Sequence, residues 1–231
     1  MPECGRIKNV NGASRLRYFW NYFGAIQMIS CRARLVTMDE TWFYHYDPET
    51  KHHSMEWWHS GSPHSKKFRV QKSAGKFLVS IFWDQDGVLL IDYLPKGQTI
   101  NAEYYSSLLL QLKDILKGKR RGKVTPLVLF LHDIGLAHRA LATQKKLAYL
   151  DSQCLDRPLY SPGLAPSDYH LFPGLKKQLK GRHFSSDADV IAACHCCIWL
   201  DGQHSDFFLS GLQKLEQRAK KCTELRVEYV E

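Results

Sequence analysis

The spacing of apolar residues changes period several times along the chain, and each change marks an element. Arg34 to Tyr46 is rich in β-branched and aromatic residues and predicts a strand. After a long polar interval rich in His, Ser, Lys and Pro, Phe77 to Trp83 predicts a second strand. The turn signal Asp84-Gln85-Asp86-Gly87 then joins it to a third, Val88 to Leu94, as a hairpin. From Asn101, an N-cap candidate, Tyr104, Tyr105, Leu108, Leu112, Ile115 and Leu116 recur at helical spacing until the basic run Lys117 to Lys123. Pro126 opens the unbroken apolar run Leu127 to Leu131, the pattern of a strand buried on both faces, and a helix is expected from about His138 to Leu150. A short strand around Cys154 to Tyr160, the turn-rich Ser161 to Ser167 and amphipathic helices through Lys221 complete the pattern. Three strands, then alternating elements, then helices suit a mixed sheet with helices on both faces, and no internal repeat interrupts it.

At 231 residues and 44% hydrophobic content the chain can bury one substantial core, and a single catalytic domain is expected. The formal net charge of +9 favours a polyanionic partner through counterion release, nucleic acid foremost, although a solvated lysine-rich surface gives the same sum. Seven cysteines at irregular spacing, without a signal-peptide pattern, suit a reducing compartment, and no disulfide is expected. Apolar runs are strand-length, well short of the roughly 20 residues of a membrane span, so a soluble protein without a membrane partner is expected.

Three acids stand where a sheet-based site would hold them: Asp39 in the first strand, Asp133 at the end of the fourth, and Asp168 at a helix start after Pro166-Ser167. Carboxylates at the carboxyl ends of strands can share hard divalent cations, and two such ions about 4 Å apart suit phosphoryl transfer. With 23 acidic residues in the chain, position alone does not decide between this and chance.

The wording around the acids does decide. Val36-Thr37-Met38-Asp39-Glu40-Thr41-Trp42, Tyr46-Asp47-Pro48-Glu49-Thr50-Lys51, His132-Asp133 and Tyr160-Ser161-Pro162 through Leu164-Ala165-Pro166-Ser167-Asp168-Tyr169 closely resemble mariner transposases of the Tc1/mariner superfamily, from about Arg34 to Glu231. Between Asp133 and Asp168 lie 34 residues, the interval of that family's DD34D triad. The resemblance implies a ribonuclease-H-like fold, an α/β mixed five-stranded sheet flanked by helices, with a clamp-loop insertion after the first strand at about 48–76. It also implies catalytic and metal-binding roles for Asp39, Asp133 and Asp168, dependence on Mg²⁺ or Mn²⁺, transposon-end and target DNA as partners, and a nuclear homodimer joined through the clamp. Glu40 is read as a neighbour of Asp39, not as a ligand.

The stretch matching the clamp, Lys51 to Lys76, contains Trp57, Trp58, Lys66, Lys67, Arg69 and Lys72, basic groups with stacking platforms that suit a DNA surface. Lys119, Arg120 and Arg121, and Lys176, Lys177, Lys180 and Arg182, are further candidates for a DNA path, or equally solvated helix ends. Cys194-His195-Cys196-Cys197 looks like a zinc motif but lies in an expected helix, where only Cys194 and Cys197 share a face, so no zinc is expected.

The chain departs from the family at the supports of its acids. Relatives read His-Asp-Asn-Ala-Pro-Ala-His at the second acid, against His132-Asp133-Ile134-Gly135-Leu136-Ala137-His138 here. The Asp of their Tyr-Ser-Pro-Asp motif is Gly163, which removes a polar anchor from the loop presenting Asp168. Loss of such supports typically costs about 10–100-fold in affinity or activity. Residues 1–33 lack the family pattern. Phe23 to Ala33, back-translated and read one nucleotide out of phase, gives Phe-Arg-Arg-Asp-Pro-Asn-Asp-Phe-Leu-Ser-Arg, resembling what precedes the first catalytic strand in mariner proteins. A frameshifted segment over 1–33 and a catalytic domain over 34–231 are therefore expected, without the family's two helix-turn-helix modules. The functions to weigh are a metal-dependent DNA-cleaving and strand-transferring enzyme, impaired in this copy; a non-catalytic DNA-binding or assembly module, like the mariner half of SET methyltransferase fusions; and a decayed relic.

Overall fold

Five strands form one mixed sheet in the order β3-β2-β1-β4-β5. The computed structural model describes residues 35–47, 75–94, 97–119, 128–133, 135–150, 152–156, 162–195, 200 and 202–225. β1 (Leu35–Tyr44), β2 (Lys76–Asp84) and β3 (Gly87–Tyr93) make the expected antiparallel meander, while β4 (Val128–His132) and β5 (Ser152–Asp156) run parallel to β1. This is the ribonuclease-H-like arrangement, and β1 lies at its centre. The β2–β3 turn is closed by Asp84, whose Oδ1 accepts the backbone N–H of Asp86 (2.9 Å) and of Gly87 (3.2 Å).

Helices cover both faces. α1 (Ala102–Lys119) begins at Asn101, whose side-chain oxygen accepts the Tyr104 N–H at 2.8 Å, so the expected cap is present. Its stripe of Tyr105, Leu108, Leu109, Leu112 and Leu116 packs with Val36, Met38, Phe82 and Phe130 on one face of the sheet. The other face carries Leu35, Phe43, Val79, Ile81, Trp83 and Leu131 against α4 (Phe172–Leu179), α5 (Asp187–His195) and α6 (Ser205–Leu225). β4 is buried along its whole length, as its unbroken apolar run predicts.

Two expectations are adjusted. The helix read from His138 to Leu150 is two pieces, α2 (Leu136–Arg139) and α3 (Leu141–Tyr149), broken where Ala140 turns extended (φ −57°, ψ 145°). Thr143 Oγ1 donates to the Ala137 carbonyl at 2.6 Å and Gln144 Nε2 to that of His138 at 3.2 Å, satisfying acceptors that the broken ladder leaves open. The fifth strand is described over 152–156, starting two residues earlier than expected, with 157–160 outside the described residues, and further on come a 3-10 turn (Pro162–Leu164) and a π-helical turn (Ser167–Leu171) leading into α4.

Among the described residues no helix is long and apolar enough to cross a membrane. The 1–33 segment, most of the clamp stretch with Trp57, Trp58, Lys66, Lys67, Arg69 and Lys72, and also Arg120, Arg121, Ile134, Cys196 and Cys197, lie outside the described residues.

Candidate metal centre

The parallel pairing of β1 with β4 sets two of the acids side by side. Leu35 pairs with Leu129, Val36 with Phe130 and Thr37 with Leu131, and the same register carried two residues further brings Asp39 level with Asp133. Neighbouring strands lie about 4.8 Å apart, so Asp39, midway along β1, stands beside Asp133, the first residue past the carboxyl end of β4. Strand alternation puts Asp39 on the face shared by Leu35 and Phe43, and Glu40 on the face shared by Val36 and Met38. Asp39 is only 8% exposed. A carboxylate that deep requires a compensating partner or cation.

Asp168 reaches the same region by a different route. Leu164, Ala165 and Ser167 are buried, and the buried Trp83 indole N–H donates to Ser167 Oγ at 2.9 Å, pinning the turn to β2 opposite Thr37. Asp168 itself is exposed on the first turn of the π-helical segment. The structure therefore holds Asp39 and Asp133 on neighbouring strands and Asp168 on a turn docked against the same face as Asp39.

A second cluster lies on the α1 side. His138 Nδ1 hydrogen-bonds Asp133 Oδ1, and its Nε2 lies 3.1 Å from Glu40 Oε1. The second contact is an ion pair by distance, but its angle leaves the buried Glu40 Oε1 without a directed hydrogen bond. Glu40, Asp133 and His138 each offer a ligand atom within 4.8 Å of the others. Burial disfavours the charged imidazole, yet the Asp133 hydrogen bond and the close Glu40 and Asp133 charges outweigh it and push His138 up to about 9. At neutral pH His138 is thus an imidazolium bridging two carboxylates. Gly135 makes room for this: a Cβ there would sit 3.1 Å from Asp133 Oδ1 and 3.2 Å from His138 Nδ1, and the Gly135 N–H donates to the same Oδ1 at 3.0 Å.

Beneath the acids, Tyr105 Oη is hydrogen-bonded to His132 Nδ1 at 2.8 Å, and His132 Nε2 to Cys154 Sγ at 2.7 Å. The Tyr105 ring also lies 4.2 Å from that of His138. Burial, followed by the charges of Glu40, Asp133 and Asp39 among its neighbours, drives the Tyr105 hydroxyl well above its ordinary range. Glu40, Asp133 and Asp39 thus lie close enough to Tyr105 for their charges to be felt there. Lys119 does not join them: it lies 14 residues from Tyr105, about 21 Å along α1, and its charge is felt instead by Asp84.

The sequence reading did not single out His138, Tyr105, His132 and Cys154 as site groups. His138 closes the quoted motif, so its position was visible; its bridging role is set by contacts with Asp133 and Glu40 that the motif does not reveal. Carboxylate oxygens from Glu40 and Asp133, with the buried Asp39 on the neighbouring strand, suit a hard divalent cation.

Comparison with known proteins agrees with this fold. Residues 47–126 match the family model described as transposase (partial DDE domain). The mariner Mos1 transposase of Drosophila mauritiana is 33% identical over 204 residues, covering 86% of this chain and 56% of that protein. The human histone-lysine N-methyltransferase SETMAR is 28% identical over 202 residues, 85% of this chain and 28% of its own length. The chain thus spans little more than half of the first relative and under a third of the second. A solved Mos1 mariner paired end complex with Mn superposes with a TM-score of 0.82 at 30% identity, over 100% of this chain and 68% of that one. The Mos1 catalytic domain with Raltegravir and Mg gives 0.73 at 27% identity, over 98% and 100%.

Proposed function

The chain belongs to the mariner transposases, and from that premise we propose that it is a divalent-metal-dependent DNA strand-cleaving and strand-transferring domain with Asp39, Asp133 and Asp168 as its metal-binding acids. The observation that carries this reading is the β1–β4 register, which, carried two residues on, sets Asp39 within β1 level with Asp133 just past the carboxyl end of β4. Mg²⁺ or Mn²⁺ bound there supplies positive charge to the attacking and leaving oxygens of a phosphodiester. The chain's own residues do the rest. Asp39 gives a rigid, buried oxygen from the central strand, and Asp133 gives one whose orientation His138 and the Gly135 N–H fix. Asp168 approaches from the docked turn, open to a DNA strand arriving from solvent.

Solved Mos1 complexes with transposon ends support DNA as the partner, and their pairing of ends supports a homodimer. The basic groups Lys66, Lys67, Arg69 and Lys72 of the clamp stretch, with Lys119, Arg120 and Arg121, are the proposed phosphate contacts, and a nuclear location is proposed from the work on DNA. A second reading, DNA binding or assembly without cleavage, is favoured by Ile134 and Gly163, which stand where relatives carry polar supports.

A nicking assay on supercoiled plasmid with Mg²⁺ or Mn²⁺ decides between them. The wild-type chain nicks and Asp133→Ala does not, if the acids act as proposed. Equal nicking by both proteins refutes the catalytic reading, and salt-sensitive binding with no metal-dependent nicking establishes the second.

A further inference from the structure

Arg218 lies on α6, 50 residues beyond Asp168, and holds the loop presenting that acid from both sides. Its Nη1 donates to the Gly163 carbonyl at 3.0 Å, and its guanidinium carbon lies 4.1 Å from the centroid of the Tyr169 ring. The Tyr169 hydroxyl donates to the Gly211 carbonyl at 2.8 Å. Gly211 and Arg218 are seven residues apart, two turns of one helix, so the ring lies along α6 with its hydroxyl tied to one turn and its face to another. The helix itself is fixed by Phe208, Leu212, Leu215 and Ala219, all buried in the core under the sheet.

We propose that Arg218 is a positioning residue for Asp168, clamping the loop between Gly163 and Tyr169 so that the acid's carboxylate meets its metal in a fixed orientation; this rests on the reading of Asp168 as a ligand. Burial pins Leu164, Ala165 and Ser167, but Asp168 is exposed, and the neighbour on its C-terminal side is fixed by α6. A planar fork that donates at its edge while stacking through its face can make both contacts at once, and a lysine ammonium cannot. Among the described residues no carboxylate pairs with Arg218, so its charge is directed to the loop. The polar anchor thought lost with Gly163 is therefore supplied by a backbone carbonyl and an arginine from a distant helix.

The test uses the full chain and its Arg218→Ala, Arg218→Lys and Asp168→Ala variants. Three quantities are read: Mn²⁺ binding by titration, amide hydrogen exchange, and the melting temperature. Both Arg218 variants are expected to bind Mn²⁺ about 10-fold or more weaker than wild type. Exchange should rise across 163–169 and stay unchanged in β1 and β4. Wild-type affinity in the Arg218 variants, with binding lost in Asp168→Ala, overturns the clamp and leaves the ligand reading intact. Wild-type affinity in Asp168→Ala overturns the ligand reading instead; the claim about metal orientation falls with it, and unchanged exchange at 163–169 would refute the clamp as well. Should Arg218→Ala fail to fold, Arg218→Lys, which keeps charge and stem, decides on the same readouts.

Discussion

Asp133 and Asp168 are held in opposite ways. Asp133 follows a buried parallel strand and is gripped by charge: a buried imidazolium, His138, joins it to Glu40 across the end of α1. Asp168 stands on a turn gripped by shape: an indole hydrogen bond, buried Leu164 and Ala165, and an arginine that meets a carbonyl and a ring instead of a carboxylate. Perturbations of charge should reach the first acid and spare the second. Perturbations of packing should do the reverse.

Removing His138 tests the charged side most severely. His138→Ala leaves Glu40 and Asp133 facing one another with no cation between them, and breaking a buried pair costs about 3–5 kcal/mol. Because Asp133 is 43% exposed, the lower end is expected, read as a drop in the urea midpoint of the metal-free chain. Titration probes the same contact without mutation. His138 is raised in the folded state from 6.5 to about 9, so its contribution is fully present below pH 6.5 and is lost as pH rises through about 9. In EDTA, stability should fall by about 3 kcal/mol across that window. His138→Gln should flatten the slope; a slope unchanged in that variant would show that His138 is not its source.

On the packed side, Ser167→Ala strips the acceptor from the buried Trp83 N–H, a loss of about 1–3 kcal/mol that should be independent of pH between 6 and 9. Matching pH curves for this variant and wild type, displaced vertically, would sharpen the contrast, whereas a changed alkaline slope would break it. The smallest effect is expected from Gly163→Asp, which gives Arg218 a carboxylate beside the carbonyl it already holds. Gly163 is not among the glycines at positive φ, so a side chain is conformationally permitted. A gain of up to about 1 kcal/mol in thermal unfolding is expected, with tighter Mn²⁺ binding. A loss of stability would mean that the loop has no room for the acid that relatives carry.

Much of the scaffold could be read from local pattern. Leu127 to Leu131 announces a strand covered on both faces, Asn101 marks the helix start, and Asp84 to Gly87 marks the hairpin turn, because each depends on residues within a few positions. The three proposed acids were singled out by the words around them. What escaped was non-local. The break at Ala140 has no Gly or Pro to signal it and is stabilised by Thr143 and Gln144 reaching back to carbonyls, and the contacts of His138 with Asp133 and Glu40 join residues from three separate segments. Arg218 sits in an ordinary amphipathic helix, and only the packing of Phe208, Leu212 and Leu215 brings it beneath Tyr169.

The central place of β1 also governs when such a protein can become whole. Its hairpin partners emerge from the ribosome soon after it, but the strand on its other edge is more than eighty residues downstream, and the turn bearing Asp168 lies later still. Closing so long a loop is entropically slow, so the nascent meander presents one unpaired apolar edge to the cell until β4 arrives. A chain cut short before that point would carry Asp39 but neither of the other two acids, and its open edge would invite aggregation.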